Sequence, residues 1–259
     1  MRIRVNVWTS VTGIAFALLL VLLVVPLGRL LWASLLGDDG GFTLKHYRDF
    51  LAYPYYSRTI GHSFLVSGLV TLAALTVAVP VAFLIARVDI PGKLVLTSLA
   101  ILPLVSPPFI GAYSWILLFG RAGYVTTLFQ KVAITIPTVY GMHGIVLALT
   151  LNLYPFILLM VGGALQALDQ SLEEAAQGLG SSPWRVFWTV TVPLTMPSVL
   201  GGSLLVFLTA FADFGAPMII GEGYQVLPTI VYSLFVDEMG GNPAKASTCL
   251  LYTSDAADE

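Results

Sequence analysis

The stretch Thr59-Ile-Gly-His-Ser-Phe-Leu-Val-Ser-Gly-Leu-Val-Thr-Leu-Ala-Ala-Leu-Thr-Val-Ala-Val-Pro-Val-Ala-Phe-Leu-Ile-Ala86 contains no Asp, Glu, Lys or Arg. It is longer than the ~20 apolar residues an α-helix needs to cross a hydrocarbon core of ~30 Å. Apolar and polar residues do not alternate along it, so it does not read as a barrel strand. The natural solvent for such a segment is lipid. The same character recurs on both sides, in runs 11–36 (interrupted only by Arg29), 94–120, 139–168 within the uncharged stretch 132–168, and 194–220. The first run is too long for the apolar core of a signal peptide, and no small-residue cleavage site follows it, so it reads as an uncleaved span.

Composition agrees. The chain has 259 residues, of which 57% are hydrophobic and 10% charged, and its mean hydropathy is +0.89. Soluble domains carry about 25% charged residues. With so few charges the chain cannot cover a core of its own in water, which excludes a soluble enzyme and a disordered chain alike. A net charge of −2 gives no reason to expect a nucleic-acid partner. The single cysteine, Cys249, supports neither an internal disulfide nor a Cys-rich metal site. The basic residues divide almost evenly between the two sides of the membrane, so the positive-inside rule does not set the orientation. Pro26, Pro80, Pro103, Pro107, Pro108 and Pro155 lie within the runs, beside the small pairs Gly162-Gly163 and Gly201-Gly202. Both features serve close helix packing, or a bundle that must flex.

One polar stretch stands apart, between the fourth and fifth runs: Ser171-Leu-Glu-Glu-Ala-Ala-Gln-Gly-Leu-Gly-Ser-Ser-Pro-Trp-Arg-Val-Phe-Trp-Thr-Val-Thr-Val-Pro193. It reads as two short helices with a break. Ser171 and Glu174 have the spacing of a capping box. Glu173, Glu174, Ala175 and Ala176 favour a helix, which Gly178 and Gly180 end. Ser182 before Pro183 predicts a second start. Trp184, Phe187 and Trp188 then share one face, with Arg185 beside them, and Pro193 is expected to limit the continuation into the fifth run.

The spacing Glu174-Ala175-Ala176, three residues, Gly180, nine residues, Val190-Thr191-Val192-Pro193 resembles the EAA loop of the MetI-like permeases of binding-protein-dependent ABC importers. Val190 and Val192 stand where that family has Ile and Leu. More loosely, Pro103 to Pro108 and Ala86-Arg87 resemble the family's third span and the end of its second. The segment Phe211-Ala-Asp-Phe-Gly-Ala-Pro217 resembles the fifth span of the ferric-iron, polyamine and phosphonate group. The resemblance implies an all-α, polytopic transmembrane bundle in the bacterial inner membrane, with a cytoplasmic N-terminus and a cytoplasmic loop that couples to separate ABC ATPase subunits. It also implies an external or periplasmic substrate-binding protein and a second permease unit, as a homodimer, a heterodimer or a fused half. No cofactor and no catalytic residue is implied. The coupling residues would be Glu173, Glu174, Ala175, Ala176, Gly180, Trp184, Arg185 and Pro193. The aromatic face would pack either on the ATPase or under the bundle.

The organisation expected is an N-terminal span and external loop at 1–58, a permease core at 59–247 containing the coupling loop 171–193, and a tail at 248–259. The family has a sixth span after Gly240-Gly241-Asn242-Pro243, whereas this sequence ends in a tail without an apolar run. The tail is therefore expected to be truncated or non-native, with a genuine short tail as the alternative.

Other residues carry weaker signals. Asp213 lies deep in the fifth run, where a carboxylate faces a cavity or a partner. Gly215 and Pro217 predict a helix break beside it, and its role is either structural hydrogen bonding or a translocation path or gate. His62 and His143 are expected to serve helix packing or a backbone hydrogen bond, and His46 to be solvated in a polar loop spanning 37–58. Arg29 can snorkel to the interface. Gly92-Lys93 lacks the remaining positions of a phosphate-binding loop, so hydrolysis of ATP would fall to a partner. A transporter driven by an ion gradient, the rival reading, would need an inverted repeat and more intramembrane charge. An intramembrane enzyme would need a nucleophile-base pair or a metal cluster, and the sequence shows neither.

Overall fold

The computed structural model describes residues 7–36, 41–131 and 138–236. The tail at 248–259, the Gly240–Pro243 region and the basic residues Arg2 and Arg4 lie outside the described residues. Among those described, four helices are long and apolar enough to cross a bilayer: Ser10–Leu35, Pro54–Arg87, Met142–Ala167 and Pro183–Ala212. A bent pair, Lys93–Val105 with Ile110–Gln130, makes a fifth if it counts as one span. The chain divides into two compact units, Met1–Arg58 with Ile230–Glu259, and Thr59–Thr229.

In the first unit, α1 (Val7–Leu35) is apolar all round, as befits a helix whose surroundings are lipid. The segment expected to be a polar loop instead holds α2 (Lys45–Ala52), whose His46 and Phe50 lie on one buried face, four residues apart. His46 is not solvated. It is 5% exposed, and its Nε2 lies 3.1 Å from the Leu36 carbonyl oxygen at the end of α1. The Ser34 and Tyr47 hydroxyls meet at 2.8 Å, and Phe50 stacks on Tyr56. A histidine within reach of an unsatisfied helix-end carbonyl is better placed there than in water.

The second unit carries the packed bundle. Helix α3 (Pro54–Arg87) buries Ser63, Ser67, Val70, Ala74, Ala78 and Ala82 along one stripe, small residues that allow close approach. The third run, expected as one proline-kinked span, is broken into short helices. It forms α4 (Lys93–Ile101), a 3₁₀ turn (Leu102–Val105), α5 (Pro108–Phe119) and α6 (Tyr124–Gln130), and the two arms meet at 105°. The cause is local: Ser106 precedes Pro107, is pushed out of the helical region, and has ψ 128°. The fourth run is α7 (Met142–Ala167). Helix α8 (Gln170–Gly178), α9 (Pro183–Val186), a π turn (Phe187–Thr191) and α10 (Val192–Ala212) follow. The chain then breaks at Asp213, in the place expected, before α11 (Gly215–Ile220) and α12 (Leu227–Val236).

Pro193 does not limit the helix entering the fifth run. Pro183 to Ala212 is one continuous apolar helix. Proline cannot donate a backbone hydrogen bond. The π turn just before it takes up the irregularity, with the Val192 N–H reaching back five residues to the Phe187 carbonyl.

The core joins Val66, Val70 and Ala74 of α3 to Ile145, Leu149 and Ile157 of α7 and Val206 of α10. Helices α7 and α10 approach closely at Gly202, where an added Cβ would stand 3.1 Å from the Ile157 Cα. Near the start of α3, His62 Nδ1 lies 3.0 Å from the Gln225 carbonyl oxygen and its ring stacks on Tyr224. His143 Nε2 lies 2.5 Å from the Thr138 carbonyl oxygen. Both histidines therefore make a backbone contact, one of the roles expected of them. Arg121 pairs with Glu222 and lies over the Tyr140 ring.

Candidate functional site

The polar stretch folds as two short helices with a break, but its first cap differs from the expected one. Helix α8 begins at Gln170, and Asp169, not Ser171, is the capping residue: its Oδ1 accepts from the Ser171 N–H at 2.9 Å. An ionised Asp at this position also meets the positive end of the helix. The hydrogen bonds from Ser171 hold the Asp169 carboxyl below the usual carboxylate range. The helix closes on Gly180, at φ +87°. There the Gly180 N–H donates to the Gln177 carbonyl at 2.8 Å and the Ser181 N–H to the Ala176 carbonyl at 3.2 Å. This paired closure requires a left-handed residue after the cap, which is the physical reason for glycine at that point of the motif. Ser182 caps the next helix, its Oγ accepting from the Arg185 N–H at 3.4 Å.

The two faces of this loop differ. Inward, Glu173 Oε1 accepts from Arg87 Nη2 at 2.6 Å and from Thr191 Oγ1 at 2.8 Å. Val186 is buried, and Phe187 packs edge-on against Phe83 of α3, with ring centroids 4.9 Å apart. Outward, Glu174, Ala175, Arg185 and Pro193 are exposed, while Ala176 is half-buried. Leu179 is 89% and Trp184 70% exposed. Trp184, Phe187 and Trp188 do form one aromatic cluster. Phe187 joins it to the bundle while the two indoles face outward. The two adjacent glutamates are thus separated by the helix: one is spent inside the chain, and the other is presented outside it.

A second feature lies within the bundle. A cavity of about 290 Å³ is lined by Ser106, Ser114, Trp115, Asn152 and Asp213, among others. Asp213 sits at the break after α10, and its Oδ1 accepts from the Ala216 N–H at 2.9 Å, at the start of α11. Across the cavity, α7 satisfies carbonyls at the break in the third run. Asn152 Nδ2 donates to the Pro103 oxygen at 3.4 Å, and the Tyr154 hydroxyl to the Ala100 oxygen at 2.8 Å. Pro107 has no N–H to offer the Pro103 oxygen, which takes the Ser106 N–H at 3.2 Å, and the Asn152 amide adds a second donor to it.

Arg87, Thr191 and Asn152 were not legible as site residues. Arg87 read as the end of a span, and its partner lies 86 residues away in sequence. The only local signal for Thr191 was its place between the motif's two valines.

The sequence profile described as "Binding-protein-dependent transport system inner membrane component" matches residues 78–240. The chain is 34% identical over 195 residues to the molybdenum transport system permease protein ModB of Escherichia coli (strain K12), covering 73% of this chain and 83% of that protein. It is 28% identical over 204 residues to the ferric transport system permease protein FbpB of Actinobacillus pleuropneumoniae, covering 78% of this chain but 30% of that longer protein. Among solved structures, it resembles in fold a chain of a bacterial ABC transporter involved in the import of the acidic polysaccharide alginate. The TM-score is 0.76 at 16% identity, covering 97% of this chain and 94% of that one.

Proposed function

The chain belongs to the inner-membrane components of binding-protein-dependent transport systems, and from that premise we propose that residues 171–193 are its ATPase-coupling loop and that the loop faces the cytoplasm. The protein is a permease subunit of an ABC importer. The family and the fold shared with a bacterial ABC transporter give the secondary-transporter reading no support.

The observation that carries the coupling role is the two-faced loop. Its inner face is fastened to the bundle through Glu173, whereas Glu174, Leu179 and Trp184 are exposed on its outer face. An apolar patch with a carboxylate at its edge suits a groove on a separate ATPase subunit that offers an arginine. A cytoplasmic loop also orients the chain. Arg87 meets Glu173, so α3 ends on the cytoplasmic side and begins on the outer one. The segment leading into it from α1 is then external, and the N-terminus is cytoplasmic. The core at 59–247 carries the path, a second permease unit completes it, and an external binding protein delivers the substrate. The relatives named for molybdenum, ferric iron and spermidine/putrescine support a small charged solute as substrate.

The test is a cross-link. Leu179→Cys, in a background where Cys249 is replaced by Ser, is expected to cross-link to the ATPase subunit in inside-out vesicles and to be shielded from a maleimide when that subunit is present. Labelling from the outer face of intact cells overturns the orientation. The purified chain alone is expected to hydrolyse no ATP, since it has no phosphate-binding loop. Turnover without any ATPase subunit contradicts that.

Asp213 is proposed to face the translocation path. An ionised carboxylate at the bilayer centre costs about 2.5–3.5 kcal/mol on insertion scales, and the cavity's Ser106, Ser114 and Asn152 provide a polar setting that lipid does not. Asp213→Cys is expected to react with a water-soluble thiol reagent at a rate that changes with nucleotide. If it stays unreactive in every state, only its contact with the Ala216 N–H remains as its role.

A further inference from the structure

We infer that Arg87, Glu173 and Thr191 form a latch that makes the coupling helix, the end of α3 and the start of α10 move as one body; this rests on the coupling role proposed above for 171–193. The latch has a single hub, one carboxylate oxygen. Glu173 Oε1 accepts from Arg87 Nη2 at 2.6 Å and from Thr191 Oγ1 at 2.8 Å, so three segments far apart in sequence converge on it.

Each partner gives up a simpler arrangement to be there. A basic residue at the end of a span ordinarily extends its head into water. Arg87 instead turns inward, its side chain 17% exposed, and its Nε is buried without a hydrogen-bond partner among the described residues. Burying a guanidinium that is gripped by only one of its N–H groups is unfavourable unless the carboxylate is there to meet it. Thr191 departs from its neighbours in the same way. Thr189 and Thr195 donate back to carbonyls four residues earlier in their own helix, at 2.7 and 2.9 Å. Thr191, 2% exposed, sends its hydroxyl across to Glu173. It closes the π turn Phe187–Thr191, the one irregular turn in the helix that runs from the coupling loop into the membrane. A π turn is where a helix most easily changes its local winding. Pinning its last residue to the coupling helix fixes how a displacement of the loop enters α10, and Arg87 passes the same displacement to α3. Arg87 and Thr191 are therefore positioning residues for transport, and neither faces the outward docking surface.

The test reads rigidity directly, in the complex of the full chain with its ATPase subunit. Spin labels are placed at Gln177→Cys and Leu72→Cys, and in a second sample at Gln177→Cys and Leu204→Cys, with Cys249 replaced by Ser. Labelled chains are diluted with unlabelled chain, so that each complex holds one labelled pair. Distances are measured with no nucleotide and with a non-hydrolysable ATP analogue. With the latch intact, both distances are expected to stay the same. In Thr191→Val, an isosteric change, the Gln177–Leu204 distance should shift or spread by about 2 Å or more on nucleotide binding, the scale of small helix movements. In Arg87→Gln the Gln177–Leu72 distance should do so. The double exchange of Arg87→Glu with Glu173→Arg should restore the constant Gln177–Leu72 distance. Distances that change with nucleotide in the unmodified latch overturn the inference, as do variants that behave like the parent. If Arg87→Gln or Thr191→Val abolishes co-purification of the ATPase, the residues serve docking and the inference fails. Failure of the coupling reading shows elsewhere, as absence of the Leu179→Cys cross-link in a chain whose latch is intact.

Discussion

Glu174→Lys is expected to abolish co-purification of the chain with its ATPase subunit while leaving the chain inserted in the membrane. Glu174 is exposed, and among the described residues it has no internal partner, so its replacement disturbs nothing within the fold. Reversing a charge that is desolvated at an interface removes one attraction and adds a repulsion. Losses of about 2–5 kcal/mol are usual when a buried interfacial charge pair is broken, and these correspond to complexes weakened by roughly 30-fold to several thousandfold. Gly180→Trp should have the same outcome by another route. Position 180 holds φ +87°, which disfavours any side chain, and an indole there would add bulk next to the exposed Leu179. The adjacent Glu173→Gln is the informative contrast: its side chain points inward, so the complex should survive it. A complex unchanged in both Glu174→Lys and Gly180→Trp would remove 171–193 from the docking surface.

The largest expected effect on stability belongs to Gly144→Ala. An added Cβ there would stand 1.5 Å from the Val139 carbonyl oxygen and 2.9 Å from the Ile220 Cγ2. Neither neighbour can give way easily. Val139 and Ile220 are both buried, and the Gly141 N–H bonds the Ile220 carbonyl at 2.9 Å, tying the start of α7 to α11. Overpacking of this kind costs on the order of 3 kcal/mol or more, because backbone has to move. Gly163→Ala, on the same helix with nothing within 4 Å of the added carbon, is the control and should be neutral or slightly stabilising. Thermal denaturation of the two purified variants in one detergent decides it, and equal midpoints would refute the steric argument.

The spans were legible because lipid imposes a length and a polarity on any helix that crosses it, and those constraints are written in consecutive residues. The coupling loop was legible for a similar reason: its glycine, its caps and its aromatic face are set by local geometry. Contacts between distant segments left no such trace. Nothing near Arg87 announces Glu173, and nothing near Pro103 announces Asn152. Where local rules compete, reading along the chain chose wrongly. Ser171 and Asp169 are both good caps, and the charged one two residues upstream prevailed. Pro193 should have limited a regular α-helix, but a π turn accommodated it. The prolines of the third run were visible, but a proline signals a break without its angle, and the 105° between the two arms was not legible.

The hydrogen bonds from Asn152 and Tyr154 to the third run also bear on the order in which the protein is made. Helix α1 satisfies its own backbone and can leave the translocation machinery for lipid as soon as it is synthesised. The broken pair formed by Lys93–Val105 and Ile110–Gln130 completes its contacts later, because the Tyr154 hydroxyl on the Ala100 carbonyl, and the Asn152 amide that joins the Ser106 N–H on the Pro103 carbonyl, belong to residues the ribosome has not yet reached. These contacts can form only once α7 has emerged. Loss of Asn152 and Tyr154 together is therefore expected to show as faster degradation of newly made chains in a pulse-chase, and an unchanged half-life would refute it.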